Sequence, residues 1–249
     1  MKYFFFTLAV ILLLSCRGRN PQNANNTTKQ NELVGFLQKY KNVGYDVANT
    51  IQRDEKWHER EDGLVLLQDS LGVFHNIQGQ INRIKARDVG DSKVIEFEIK
   101  VKPEEYFEIT LECSHIVHKD SLEADNLYQL VKSLSEHSTV YADGALAITF
   151  KGKVANSSWS DKDIQFSYPK YKFNIVDLST QPLPEVTNNV KNAIVIWRKS
   201  FESILKNSKS AETDKNIDAF KKATESLTPS EDIYMKKYIH ACSLDLYRD

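Results

Sequence analysis

Strict alternation of apolar and polar residues in two adjacent segments constrains this fold more than any other feature of the chain. From Val94 to Val101, Ile95, Phe97, Ile99 and Val101 fall on one face and Glu96, Glu98 and Lys100 on the other. Phe107 to Cys113 repeats the pattern, with Phe107, Ile109, Leu111 and Cys113 inward. Successive side chains of a strand point to opposite faces, so each segment reads as a half-buried strand. Pro103-Glu104-Glu105 between them suits a hairpin. Upstream, Ile77 to Ile81 reads as a strand bent at Gly79. Downstream, Val140 to Phe150 alternates around Gly144, and Phe173 to Val176 gives a last strand.

The flanks follow helical spacing instead. Leu33, Phe36, Leu37, Tyr40, Val43, Val47 and Ile51 predict a helix from about Glu32 to Lys56, with the charged run Asp54 to Asp62 leaving it. Between the third and fourth strands, Leu127, Leu130, Val131 and Leu134 mark a short helix that Asp125 would cap. After Pro182-Leu183-Pro184, an apolar stripe of Val190, Ile194, Trp197, Phe201, Ile204 and Leu205 marks another helix. Lys206 to Lys215 reads as a loop, and Ile217, Phe220 and Leu227 suggest a second helix. Thr228-Pro229-Ser230-Glu231 is a capping box opening a third. The expected fold is α+β: a small antiparallel barrel with one inserted helix, an N-terminal helix and a three-helix C-terminal segment. Its strand-strand-strand-helix-strand-strand order, with Gly79 and Gly144, resembles an OB-fold over Ile77–Leu178.

The chain starts with Lys2, an apolar stretch from Phe4 to Leu14, and then Ser15-Cys16. A cation followed by a short apolar run ending at a small residue reads as a secretory signal peptide. The run is about half the ~20 residues that a spanning helix needs. Leu13-Leu14-Ser15-Cys16 resembles the lipobox of bacterial lipoproteins. The resemblance implies cleavage before Cys16 and diacylglycerol on its sulfur, with no other cofactor. Each buried acyl methylene contributes about 0.8 kcal/mol, so the several chains of a mature lipoprotein anchor it durably. It further implies an exported protein of the cell envelope, and Arg17 with its basic and neutral neighbours favours the periplasmic leaflet of the outer membrane. The segments are then a signal peptide (1–15), a lipidated Cys16 with a polar tether (16–30), an N-terminal helix (31–62), the OB-like β-domain (63–181) and the helical segment (182–249).

With 33 basic against 34 acidic side chains there is no general pull toward polyanions. OB-folds that bind single strands use aromatics and cations on the second and third strands. Here the outward positions are Glu96, Glu98, Lys100, Glu108, Thr110 and Glu112, a face that repels phosphate, so no nucleic-acid partner is expected. After Cys16 only Cys113 and Cys242 remain. An oxidising envelope permits a disulfide between them, and two buried thiols is the competing reading.

Trp159, Phe166, Tyr168 and Tyr171 cluster before the last strand, beside Asp161, Lys162 and Asp163. In an OB-fold that connection contacts ligands, so these aromatics are candidate contacts for a partner or ligand. Alternatively Ile164, Phe166 and Tyr168 extend the last strand and pack in the core. The Trp197–Phe201 helix is a second candidate surface. Ser203 and Lys206 have Ser-x-x-Lys spacing without a Lys-Thr-Gly element. His115 and His118 fall on opposite faces of a strand, and the Glu55, His58, Glu59 and Asp62 run reads as solvated surface, so neither predicts a metal site. No catalytic residue is assigned. The expectation is a membrane-anchored envelope lipoprotein that binds an envelope protein or small ligand without catalysis. An envelope enzyme is the alternative, to be marked by a cleft gathering Asp161, Lys162, His115 or His118. A chaperone or lipid carrier would need a large apolar cavity.

Overall fold

The two alternating segments pair with each other as strands in the register their patterns demand. In a computed structural model that describes residues 31–149, 152–156 and 162–243, β1 is Phe74–Val89, β2 Ser92–Glu104, β3 Phe107–His118, β4 Thr139–Leu146 and β5 Lys170–Ser179. Phe97 faces Cys113, Ile99 faces Leu111 and Val101 faces Ile109, and all six are buried. A slip by one residue would turn this set to solvent, so burial holds the register.

The strands close into a barrel in the order β1-β2-β3-β5-β4. Neighbours are antiparallel except β3 and β5, which run parallel with Leu111 opposite Tyr171. Closure gives every strand a neighbour on both sides over part of its length. The expected α+β class and OB-like barrel, with a helix between β3 and β4, are what the structure has. Gly144 is needed where β4 meets β5. A Cβ there would stand 2.4 Å from both the Asn174 carbonyl oxygen and the Phe173 ring.

The single N-terminal helix expected from the pattern is three pieces: α1 (Glu32–Gln38), α2 (Val43–Asp46) and α3 (Thr50–Leu71). Asn49 restarts the helix by accepting from the Ile51 amide at 2.9 Å. The charged run Asp54 to Asp62 stays helical, contrary to expectation, and α3 continues past the boundary expected at residue 62. The physical reason is that Trp57, Arg60, Glu61, Leu64 and Gln68 form one buried stripe in which cation and carboxylate answer each other. Leu33, Val34 and Leu37 of α1, with Leu64 of α3, close one end of the barrel core. Gln68 clamps α3 to the end of β4, giving its amide to the Leu146 carbonyl (2.9 Å) and accepting from the Leu146 amide (2.6 Å). Helix α4 (Asn126–Ser133) follows β3 and brings Val131 into the same core. Asp125 caps it, as expected, by accepting from the Tyr128 amide at 2.7 Å. Helix α5 (Ile164–Ser167) precedes β5.

Helices α6 (Asn188–Asn207), α7 (Ala211–Glu225) and α8 (Pro229–Ser243) complete the described chain. Val190, Ile194, Met235 and Tyr238 cover Val73, Ala145 and Val176 in a second apolar cluster. The segment Lys206 to Lys215 is mostly helical rather than loop. Ser210 caps α7 by accepting from the Thr213 amide (3.1 Å), and buried Thr213 donates to the Asn207 carbonyl (2.7 Å). The capping box forms: Glu231 accepts from the Thr228 amide at 2.8 Å, and Thr228 accepts from the Glu231 amide at 3.4 Å. Among the described residues no helix is long and apolar enough to cross a membrane. All of them belong to one compact unit, Asn31–Asp249.

Candidate functional site

The four aromatics singled out before β5 have different fates. Trp159 lies outside the described residues. Phe166 and Tyr171 are buried, and Tyr168 is 43% exposed. Rather than extending β5, Ile164 and Phe166 form α5, which turns Phe166 inward onto α3. Its ring meets Trp57 edge-on, with centroids 5.8 Å apart. The Arg60 guanidinium lies over both rings, 4.2 Å from the Trp57 centroid and 5.0 Å from that of Phe166. Arg60 donates to the Gln165 carbonyl (2.7 Å) and to Glu61 (3.0 Å). Glu61 also accepts from the Tyr171 hydroxyl (3.2 Å) and the Asn156 amide (3.0 Å). Burial pushes the Tyr171 phenol well above its usual range, so it serves Glu61 as a neutral donor. Phe166 and Tyr171 are therefore the walls of an internal ion pair and not a contact surface.

A second internal network joins the C-terminal helices to the barrel. Pairing shifts register between Phe74 and Ile77 on β1 and between Asp143 and Gly144 on β4. There Asn76 adopts a left-handed backbone with φ of 57°. Buried Asp143 accepts from the Asn76 amide at 2.7 Å and from the Tyr234 hydroxyl at 2.8 Å, and it holds His75 Nδ1 at 2.8 Å. Burial and the Asp143 charge both raise the Tyr234 phenol, which keeps its proton for this bond. A carboxylate-oriented imidazole could serve as a general base if a nucleophile stood at Nε2. Among the described residues Nε2 has no hydrogen-bond partner, and the Glu185 carboxylate stands 3.7 Å from it.

The groups that would mark an enzyme are not gathered among the described residues. His115 holds Asp125 at 2.9 Å, His118 lies 3.5 Å from Asp120, and Lys162 pairs with Asp54 at 2.7 Å. Asp161 is outside the described residues. Ser203 donates to the Lys199 carbonyl and accepts from Asn216 (2.6 Å), while Lys206 extends into solvent. Among the described residues no group of three or more histidines, cysteines or carboxylates could hold a metal. Cys113 and Cys242 are not joined by a disulfide, which corrects that candidate pairing. The reason is position: Cys113 lies in the barrel core and Cys242 against the separate cluster under α6 and α8.

The outer face of β2 and β3 neutralises itself. Lys170 bridges Glu98 (2.9 Å) and Glu112 (2.7 Å), Arg83 reaches Glu98, Arg87 reaches Glu96, and Lys100 reaches Glu108. The second candidate surface is partly occupied, with Ile204 and Leu205 of the same helix left exposed. Trp197 stacks on Phe201 at 5.3 Å and meets Tyr238 edge-on at 5.7 Å.

What remains exposed and apolar near Tyr168 is a rim around one end of the barrel. Tyr45 is 78% exposed, Tyr106 74% and Ile51 69%, and Ile164 joins them. Three segments are tied together to make this rim. Glu104, at the tip of the β2–β3 hairpin, pairs with Lys41 and accepts from Gln38 at 2.9 Å. Ser167 donates to the Lys41 carbonyl at 3.0 Å. Gly44 lets α2 lie against the start of α5, where a Cβ would stand 2.8 Å from the Asp163 carbonyl oxygen. Arg53 of α3 reaches Asp163 at 2.5 Å. Of the predicted contacts among the described residues, Tyr168 alone lies on this rim; Tyr45, Ile51 and Tyr106 were missed. The signal for Tyr106 was available, because it follows Glu105 at the hairpin tip, outside the alternation that buries its neighbours.

No protein-family model and no curated protein matches the chain.

Proposed function

We propose that this is an exported lipoprotein, held to the bacterial envelope through Cys16, that works as a non-catalytic binding module. Its working surface is the rim of Tyr45, Ile51, Tyr106, Ile164 and Tyr168. The observation that carries this reading is the gathering of exposed apolar side chains at the rim. The buried carboxylates are engaged inside the fold, Glu61 by Arg60, Tyr171 and Asn156 and Asp143 by Asn76 and Tyr234, whereas the rim sets five large apolar side chains in water around one end of the barrel. Tyrosine offers a large apolar face with a polar tip, which suits a contact that must be both wet and adhesive. The outward positions Glu96, Glu98, Lys100, Glu108, Thr110 and Glu112 of β2 and β3 carry no aromatic on which bases could stack, which speaks against a nucleic-acid partner.

Photoactivatable phenylalanine placed at Tyr106 or Tyr168 in the native envelope, with Val89 at the far end of β1 as control, tests the proposal. Adducts of any kind at the two rim positions and not at Val89 are the expected outcome. Rim positions as silent as Val89 would remove the rim as a working surface.

A further inference from the structure

We infer that the rim seats on the lipid bilayer itself, so that the domain stands on the membrane with the α1 end down. This rests on the reading of the rim as the working surface and of Cys16 as the lipid anchor. The decisive observation is where the tether enters the fold. Residues 17–30 lead into Asn31, whose side chain caps α1 and donates to the His75 carbonyl at 2.8 Å, near the start of β1. Gln80 of β1 pairs with Lys100 of β2, so the start of β1 lies level with the end of β2 at Glu104. Helix α1 then runs only seven residues, about 10 Å of rise, before Gln38 reaches Glu104 on the rim. Val89 and His118 stand at the other end, separated from the rim by about 40 Å along the strand. A polar tether of fourteen residues has a root-mean-square reach of roughly 20 Å. A lipid at Cys16 therefore brings the rim, and not the far end, to the bilayer.

The chemistry of the rim suits that surface. Tyrosine rings collect at headgroup depth, where one end is apolar and the other hydrated. Several of the charges among them are paired, Lys41 with Glu104, Arg53 with Asp163, Lys162 with Asp54 and Lys56 with Glu59, while Asp46 and Glu105 stay exposed beside Tyr45 and Tyr106. An aromatic-rich surface whose charges largely offset one another fits a largely zwitterionic headgroup layer. The contact also needs little intrinsic affinity. A short tether makes docking intramolecular at an effective concentration of order millimolar, so an interaction too weak to hold a free protein suffices for an anchored one.

The test uses the full protein, purified with its lipid and reconstituted in vesicles of phosphatidylethanolamine and phosphatidylglycerol. The photoactivatable residue stands at Tyr106, Tyr168 or Val89, and adduct masses are read. Phospholipid adducts at Tyr106 and Tyr168 should exceed those at Val89 by about five-fold or more. Replacing Tyr45 and whichever of Tyr106 and Tyr168 lacks the probe by serine should bring that excess down toward one. Equal yields at all three positions would overturn the inference. If the same positions in the native envelope give adducts to a protein and none to lipid, the rim is still a binding surface but the bilayer is not its partner. If they give no adduct there at all, the reading of the rim falls with it.

Discussion

Glu61→Ala should destabilise the protein by about 3–5 kcal/mol, the range seen when one partner of a buried ion pair is removed. Arg60 is 1% exposed and cannot neutralise itself, so the variant carries a guanidinium in the interior with no counter-charge. The Tyr171 hydroxyl and the Asn156 amide lose their shared acceptor in the same step. Stacking on Trp57 and Phe166 persists, but it holds a cation by the ring faces at about 0.5–2 kcal/mol and cannot replace a carboxylate. The double change Arg60→Met with Glu61→Gln should recover most of the loss, because no charge remains to be solvated and methionine fills the slot between the rings. Urea unfolding followed by tryptophan fluorescence reads both variants. A Glu61→Ala midpoint within about 0.5 kcal/mol of the parent, the size of an ordinary surface change, would mean the pair is not buried as described.

Asp143→Ala is the second large effect, at about 3–4 kcal/mol. The carboxylate is 1% exposed and serves the Asn76 amide, the Tyr234 hydroxyl and His75 Nδ1. Bonds to a charged acceptor contribute about 1.5–3 kcal/mol each, and each buried donor left without one costs about 1–3 kcal/mol. The loss has a direction as well as a size. Asn76 is held in a left-handed conformation beside a bulge, so its neighbourhood should open first. Helix α8 should loosen with it, because Tyr234 joins that helix to β4. Tyr234→Phe is the control. It removes one donor and leaves the other contacts, and should cost only about 1–1.5 kcal/mol. Chemical denaturation with amide exchange across Pro229–Ser243 reads both. Equal costs for the two variants would show that Asp143 does not organise this junction.

The parts of the fold legible in the sequence are those fixed by one-sided burial. Ile95, Phe97, Ile99 and Val101 alternate because one face of β2 is core, and the same holds for β3, so strands, register and hairpin follow from pattern. Thr228 and Glu231 were readable because a capping box is local. Helix α3 was not. Its buried stripe passes through Arg60, Glu61 and Gln68, polar residues that a hydrophobic pattern scores as surface, and it becomes visible only once Trp57, Leu64 and Leu71 are read as one seven-residue repeat. Phe166 and Tyr171 were ambiguous for the opposite reason. Aromatics serve a core and a contact surface equally well, and what turned these two inward was Arg60 and Glu61, more than a hundred residues away. The fate of Cys113 and Cys242 depended on which cluster each helix and strand joined, which no local pattern carries.

The rim was hidden differently. Tyr45, Ile51, Tyr106, Ile164 and Tyr168 are scattered across the sequence and meet only because Glu104, Lys41, Ser167 and Asp163 tie a hairpin tip, a helix corner and a short helix together. A surface assembled from such distant pieces cannot be read from spacing.

Both the anchor and the standing orientation rest on Cys16, so the most direct measurement is the intact mass of the protein taken from the membranes of cells that make it. The account predicts a chain that begins at Cys16, lacks residues 1–15, and carries a diacylglyceryl group on that cysteine. A chain that still begins at Met1, or one with an unmodified Cys16, would contradict it.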